Sequence, residues 1–251
     1  MPKSSSTLNR YRRQIIFEPL GTKGQRQLGK AIVFMCGCGA LGCNIAQTLV
    51  RAGIKCLKMV DFDRVSLVNL HRQFLFTEKD VQMNRYKVTA AAKALRAGNS
   101  EVEVVPFRDR LTQENAVSYI KGVNLVIDAT DNFPTRFLLN QTALQLKIPF
   151  ISGGVTGAGG QVMTIIPGQT PCLSCLIDFA QNIDTSPKEF PILAPIVQVV
   201  SAFQSMEAIK ILTGNADQIN PNLITFDMWG NKIRTIPLDH LPPCRCFPAR
   251  K

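Results

Sequence analysis

Residues 31–50 read AIVFMCGCGALGCNIAQTLV, and the rest of the chain can be placed around them. The first six residues form a continuous apolar run, the pattern of a strand buried on both faces, and glycines follow at once. Leu41, Ile45, Ala46, Leu49 and Val50 then recur at helical spacing until Gly53, which suits the close of a helix. Between strand and helix, Gly37-Cys38-Gly39-Ala40-Leu41-Gly42 fits G-x-G-x-x-G. Glycines let the backbone turn tightly and approach a nucleotide, and the helix start offers unpaired N–H groups. A second strand, Lys55–Asp61, ends in a carboxylate where a ribose could be held, which argues against an ordinary turn that binds nothing. The motif says nucleotide without saying which.

Working outward, a long alanine-rich helix is expected over Glu78–Ala97 and a third strand over Glu101–Pro106. Leu125–Asp128 and Ile148–Ser152 read as buried strands, with a helix over Arg136–Leu146 between them. This alternation predicts an α/β fold, a Rossmann-like doubly wound sheet that is mostly parallel. Gln161–Ile166, Leu223–Asp227 and Ile233–Leu238 are expected as further strands, forming a C-terminal antiparallel extension. Asn182–Pro195 carries three prolines and reads as a loop, and an amphipathic helix follows from Ile196, Val199, Val200 and Phe203 to Gly214. One unit is expected over residues 1–251, with a flexible start (1–8), a polar, helical lead-in (9–29) and a nucleotide-binding half (30–152).

The chain has 251 residues, 45% hydrophobic and 19% charged, as a globular protein with a real core requires. No apolar run approaches the roughly 20 residues that a bilayer-spanning helix needs. The start, Met1 to Arg13, is polar and basic without an apolar centre, so a cytoplasmic protein is expected. The net charge of +11 suits either nucleic acid or an acidic protein partner with a polyphosphate substrate. Scattered basic residues and only 7% aromatics argue against nucleic acid.

Asp61-Phe62-Asp63 leads into Asn69-Leu70-His71-Arg72-Gln73, which brings an arginine toward the same sheet edge. A dinucleotide-dependent dehydrogenase has no general need for that arginine, whereas a triphosphate does, because guanidinium offsets charge that grows during transfer. Asp128-Ala129-Thr130-Asp131-Asn132 ends the fourth strand, where a carboxylate beside a triphosphate suits Mg²⁺. Taken singly, Arg72 reads as a surface ion-pair residue and Asp131 as a helix cap; together they favour ATP. Of the eight cysteines, Cys36, Cys38, Cys43 and Cys56 lie in or beside apolar stretches and behave as small hydrophobes. Cys172-x-x-Cys175 is a half-site for tetrahedral Zn²⁺, and Cys244-x-Cys246 could complete it, with His240 as a substitute ligand.

With these pieces in place, the chain resembles the ubiquitin-activating-enzyme-like family in its ThiF/MoeB/HesA branch. The likeness runs from Arg10-Tyr11-Arg12-Arg13-Gln14-Ile15 through the glycine motif, DFDRVSLVNLHRQ and ATDN. It continues to Cys172-Leu173-Ser174-Cys175 and Ser205-Met206-Glu207-Ala208-Ile209-Lys210. The resemblance implies adenylation of the terminal glycine of a small β-grasp carrier ending in Gly-Gly, for sulfur transfer in thiamine or molybdopterin synthesis. Carried over by position, Gly37, Gly39, Ala40 and Gly42 admit the nucleotide, Asp61 holds the ribose with Asp63 beside it, and Asp131, next to Asn132, holds Mg²⁺. Asn69, Arg72 and a lysine would contact phosphates, and Arg13 would reach across a homodimer to the neighbouring site. Residues 153–251 would bind the carrier and carry the cysteine quartet with its Zn²⁺.

The sequence departs from the family pattern at three places. For the phosphate lysine, matching from upstream selects Arg85, while matching from the downstream helix selects Lys87, which the helix register favours. Many relatives carry a cysteine in the loop before Ala194-Pro195, but Asp184 to Phe190 has none. A serine hydroxyl is far less acidic than a thiol, so adenylation without a covalent enzyme–carrier intermediate is expected. The second cysteine pair is C-x-C rather than C-x-x-C. His71 stands where the family often has Gln and reads as a structural polar neighbour of the nucleotide. The chain ends soon after Cys246, so the sulfur donor is expected to be a separate protein. The rival readings are an NAD-dependent oxidoreductase, which leaves Arg13, Arg72 and the cysteines unexplained, and a catalytically decayed adaptor that only binds a carrier.

Overall fold

The computed structural model describes residues 9–180, 190–241, 244 and 246. The expected flexible start and most of the cysteine-free loop therefore lie outside the described residues. One eight-stranded sheet runs in the order β3-β2-β1-β4-β5-β6-β7-β8. The parallel part comprises β1 (Ile32–Cys36), β2 (Cys56–Val60), β3 (Glu103–Phe107), β4 (Leu125–Asp128) and β5 (Phe150–Thr156). The antiparallel part adds β6 (Gly159–Ile165), β7 (Leu223–Asp227) and β8 (Lys232–Ile236). The helices are α1 (Arg12–Ile15), α2 (Gly21–Leu28), α3 (Ala40–Ala52), α4 (Glu78–Gln82), α5 (Lys87–Gly98) and α6 (Ala116–Ile120). They continue with α7 (Phe133–Leu146), α8 (Leu173–Ala180) and α9 (Ala194–Leu212).

The apolar run of β1 has a direct structural cause. Val33 and Met35 join a core with α3, α5 and α9, whereas Phe34 and Cys36 join a second core with α6, α7 and α8. Alternate side chains of a strand point to opposite faces, so a strand covered on both must be apolar throughout. The sheet order reverses beside β1, between β2 and β4, and this is where an open α/β sheet leaves a crevice at its carboxyl edge. The lead-in is tied down by Tyr11, whose hydroxyl accepts a hydrogen bond from Asn99 at 2.9 Å. Its ring fills the space that a side chain at Gly53 would take, and Gly53 is left-handed with φ +87°.

The structure corrects three sequence expectations. The single helix over Glu78–Ala97 is two helices, because Asn84 adopts φ 49° and Arg85 turns back to Asp80 at 2.6 Å. Asp80 also closes a capping box with Thr77, which makes α4 a short unit of its own. The helix expected from Arg136 starts a turn earlier, at Phe133, because the Asn132 side chain accepts from the Thr135 N–H and caps it. Finally, α9 is not simply amphipathic: it begins at Ala194, and Ser201, Gln204, Ser205 and Glu207 are buried along it. Glu207 is satisfied there by Thr164, the Asn220 N–H and Lys210.

Candidate functional site

The three motif glycines do different work in the turn between β1 and α3. Gly37 has φ +93°, and a Cβ there would lie 2.4 Å from the Ala129 carbonyl oxygen. A Cβ on Gly42 would lie 2.3 Å from the Gly37 carbonyl oxygen, so the first turn of α3 packs directly on the loop. At Gly39 the nearest atom would be Gln73 Nε2 at 3.6 Å, which leaves room for a ligand to approach. Gly39 is the N-cap of α3 and offers no side-chain cap, and Ala40 opens the helix. The first and third glycines are thus required by the fold, and the second keeps the approach clear.

Asp61 sits beneath this turn. Its carboxylate accepts from the Cys38 N–H at 2.7 Å and from the Asp63 N–H at 2.8 Å. Burial pushes the Asp61 carboxyl above its usual range, against the pull of the Lys87 charge and of those two N–H groups. Lys87 Nζ lies 2.8 Å from Asp63, whose side chain remains 48% exposed. Burial opposes charge on Lys87, but Asp61 and Asp63 hold its ammonium above the ordinary lysine value. The break after α4 produces this arrangement, since it makes Lys87 the first residue of α5 while Arg85 is taken by Asp80. Of the two cations considered for the phosphate contact, Lys87 faces the strand end.

The segment after β2 brings up a second cation. Arg72 Nη2 donates to Asn69 Oδ1 at 2.8 Å, so these two residues form one unit. Gln73 follows, buried, with its amide nitrogen toward Gly39 and its carbonyl oxygen without a partner among the described residues. On the other side, Asp131 stands exposed just past β4, 3.4 Å from Asn132 Nδ2. The sequence left Asp131 as a candidate cap; the cap is Asn132, which leaves the Asp131 carboxylate open. Asn132 is correspondingly committed to α7. Ala129 ties this loop to the glycine turn through its N–H on the Cys36 carbonyl, 2.9 Å. Gly37, Gly39, Ala40, Gly42, Asp61, Asp63, Lys87, Asn69, Arg72 and Asp131 therefore lie at the carboxyl ends of β1, β2 and β4 and in the segments that follow them. Arg13 is exposed on α1, in the lead-in rather than at these strand ends.

Sequence reasoning passed over the network beneath Asp131. Asp128 is fully buried and accepts from Arg136 Nε at 2.7 Å, Ser152 Oγ at 2.9 Å and both the Thr130 N–H and hydroxyl. Arg136 also donates to the carbonyls of Thr130 and Gly153. An arginine eight residues after a strand-end aspartate was the available signal, and helix periodicity alone could not show that the two meet.

In the second half, the sulfurs of Cys172, Cys175, Cys244 and Cys246 all lie within 4.8 Å of one another, and all four are free thiols. Cys172 and Cys175 are 3.7 Å apart, close to the about 3.8 Å edge of a tetrahedron with 2.3 Å metal–sulfur bonds. Both arms of the C-x-C pair reach the cluster. His240 is not part of it; its ring stands 3.9 Å from Asp239. Burial works against ionising Cys172, but hydrogen bonds from the Cys175 backbone, Asn140 and neighbouring thiols bring its value below that of a free thiol. Burial, and then the Cys172 charge, push Cys244 up to about 12 and Cys246 up to about 11. Four sulfurs within 4.8 Å of one another, two of them at the 3.7 Å spacing of tetrahedral ligands, fit a divalent soft-ligand metal such as Zn²⁺.

A glycine turn, strand-end carboxylates and two cations at the switch point of a doubly wound sheet define a nucleotide-binding α/β protein. The sequence profile of the ThiF family matches residues 11–246, and the chain belongs to that family. It is 40% identical to the sulfur carrier protein ThiS adenylyltransferase of Bacillus subtilis (strain 168), over 94% of this chain and 71% of that protein. It is 35% identical to the sulfur carrier protein adenylyltransferase of Thermus thermophilus, over 94% of this chain and 89% of that protein. The adenylyltransferase and sulfurtransferase MOCS3 of Culex quinquefasciatus is 35% identical, and the chain spans 54% of its length. Among solved structures, E. coli MccB crystallised with ATP shares the fold, with a TM-score of 0.82 at 22% identity over 96% of this chain and 74% of that one. No helix among the described residues is long and apolar enough to cross a membrane.

Proposed function

We propose that this chain adenylates the C-terminal glycine carboxylate of a small ubiquitin-like sulfur-carrier protein, using ATP. The observation that carries the proposal is the convergence of the glycine turn, the Asp61–Asp63–Lys87 cluster and the Arg72–Asn69 pair at one sheet edge. The carrier carboxylate attacks the α-phosphorus; a P–O bond forms to it, the bond to the β-phosphate oxygen breaks, and pyrophosphate leaves. The attacking group is already ionised at neutral pH, so no general base is needed, and the protein contributes positioning and charge compensation. Gly39 and the start of α3 receive the phosphates, Asp61 orients the ribose, and Lys87 and Arg72 offset phosphate charge. Asp131 would hold Mg²⁺, which when bound neutralises phosphate charge. The cysteine quartet would hold Zn²⁺ with all four positions filled, a structural role that ties residues 244 and 246 to the start of α8.

The relatives named for sulfur-carrier adenylation support the substrate class. The exposed edge strand β8 supports a docking face, with Ile233 and Ile236 exposed and Trp229 82% exposed at the turn before it. Lys232 and Arg234 on β8 suit an acidic carrier. A homodimer in which Arg13 serves the neighbouring site is supported by exposed Ile16 and Phe17 on its own segment, and by Leu67 and Val68 beside Arg72. No covalent cysteine intermediate is formed in this proposal. Cys36, Cys38 and Cys56 are buried with thiols pushed above the ordinary value, first by burial for Cys36 and Cys56 and by the Cys43 contact for Cys38. The other described thiols, apart from buried Cys43, belong to the quartet.

The test is ATP–pyrophosphate exchange. Exchange that appears only when a Gly-Gly-ended carrier is added is the expected result. Its absence with every candidate carrier, alongside retained carrier binding, would favour a decayed adaptor. A gel-resistant, thiol-sensitive conjugate with carrier and ATP would overturn the non-covalent route.

A further inference from the structure

His71 and Arg72 are consecutive residues, and their side chains touch. His71 Nδ1 lies 3.1 Å from the Val68 carbonyl oxygen, and Nε2 lies 3.2 Å from Arg72 Nη1. A carbonyl oxygen only accepts and a guanidinium only donates, so the chemistry of the neighbours fixes the ring. Nδ1 must carry the proton and donate to Val68, and the Nε2 lone pair must accept from Arg72. We infer that His71 is a positioning residue, a neutral Nδ1–H imidazole that holds the Arg72 guanidinium in place for phosphate. The inference rests on the nucleotide reading of this site.

Arg72 is then restrained at both ends of its fork. Nη1 donates to His71 and, at 3.3 Å, to the Val68 carbonyl, while Nη2 donates to Asn69 at 2.8 Å. This leaves Nε–H and one Nη2–H uncommitted among the described residues, enough for a paired hydrogen bond to a phosphate. An unrestrained arginine loses considerable rotamer freedom when it binds a ligand, and a guanidinium held beforehand loses less. A protonated His71 cannot play this part. It has no acceptor, and it would set a second positive donor against the guanidinium. Arg72 is the one charged group hydrogen-bonded or ion-paired to His71 among the described residues; across the pocket, Lys87 and Asp63 pair with each other and Asp61 bonds to backbone. A glutamine at position 71 could supply the same acceptor through Oε1 at any pH.

The chain has only two histidines, so imidazole ¹⁵N spectra of the full chain are assigned by comparison with H240Q. At pH 8 the expected tautomer of His71 is Nδ1–H, and Arg72→Met should shift the Nε2 resonance toward an unbonded acceptor. An Nε2–H tautomer would overturn the inference. In Mg·ATP titrations, His71→Ala should bind about 3- to 10-fold more weakly than wild type, the loss of roughly one hydrogen bond. H71Q should restore affinity to within about twofold. Undiminished binding by His71→Ala, or a failure of H71Q to restore affinity, would overturn the inference alone. A wild type that binds no Mg·ATP at pH 8 would instead overturn the nucleotide reading beneath it.

Discussion

Asp128 ends β4 and Asp63 follows β2, both at the carboxyl edge and each paired with a cation, yet the two pairs are built in opposite ways. The Asp128–Arg136 pair is closed: the carboxylate is fully buried, and Ser152 and Thr130 take its remaining lone pairs. Arg136 spends its other donors on the Thr130 and Gly153 carbonyls. The Asp63–Lys87 pair is open, with one contact at 2.8 Å and half of the Asp63 side chain in solvent. A phosphate can draw Lys87 away without stranding a buried carboxylate, because water remains available to Asp63. Pairing a carboxylate with a cation therefore fixes a loop in one place and leaves a cation available in the other, and burial of the carboxylate makes the difference, since the two cations are almost equally buried.

The largest expected effect comes from breaking the closed pair. Asp128→Ala leaves the Arg136 charge buried and should cost about 3–5 kcal/mol in denaturant unfolding. An unchanged midpoint would make the closed pair as dispensable as a surface one. The cysteine quartet is closed on one side, with Cys172 and Cys175 buried, Cys246 exposed and all four sulfurs within 4.8 Å of one another. Elemental analysis should find one zinc per chain, and stripping it should lower stability by about 4 kcal/mol if free zinc stands a thousandfold above its Kd. Well under one zinc per chain would remove the quartet from the closed class.

The open pair should behave in reverse. Lys87→Met should lower ATP–pyrophosphate exchange by about 10²-fold, while costing less stability than Asp128→Ala, because the Asp63 carboxylate can turn to water. A large stability loss with exchange intact would interchange the two roles. The smallest effect concerns Asp61. Its carboxyl titrates above its unfolded value of 3.8, chiefly through burial, so the folded chain binds that proton more readily than the unfolded one. This group therefore adds stability as pH falls through the raised value, and ionisation above it withdraws that contribution. Lys87→Met removes a charge that holds the value down, so a ¹³C carboxyl titration should find Asp61 raised further. A lowered or unmoved Asp61 would deny that Lys87 faces it.

Much of this was legible in the chain, for reasons that differ by feature. The β1–turn–α3 unit, the strand ends at Asp61 and Asp128, and the C-x-x-C pair are local patterns, and the structure has each where the spacing put it. The break between α4 and α5 was hidden, because alanines favour a helix over the whole stretch and only Asn84 at positive φ and the Asp80–Arg85 contact interrupt it. The same break turns Arg85 to Asp80 and puts Lys87 beside Asp63. Arg136, Gln204 and Gln73 were equally hidden, since burial of a polar side chain depends on partners far away in sequence, such as Gly153 for Arg136.

The residues alone determined the apolar run, the glycine turn, the alternation of strands and helices, and the inventory of carboxylates, cations and thiols. Those follow from local sterics and periodicity, which act within a few residues. Tertiary structure decided which of these groups share a place: Lys87 rather than Arg85 at the strand end, Asn132 rather than Asp131 as the cap, and both sulfurs of Cys244 and Cys246 turned to Cys172 and Cys175. Such choices depend on which distant segments pack together, and that is set by the burial of two cores on opposite faces of one sheet.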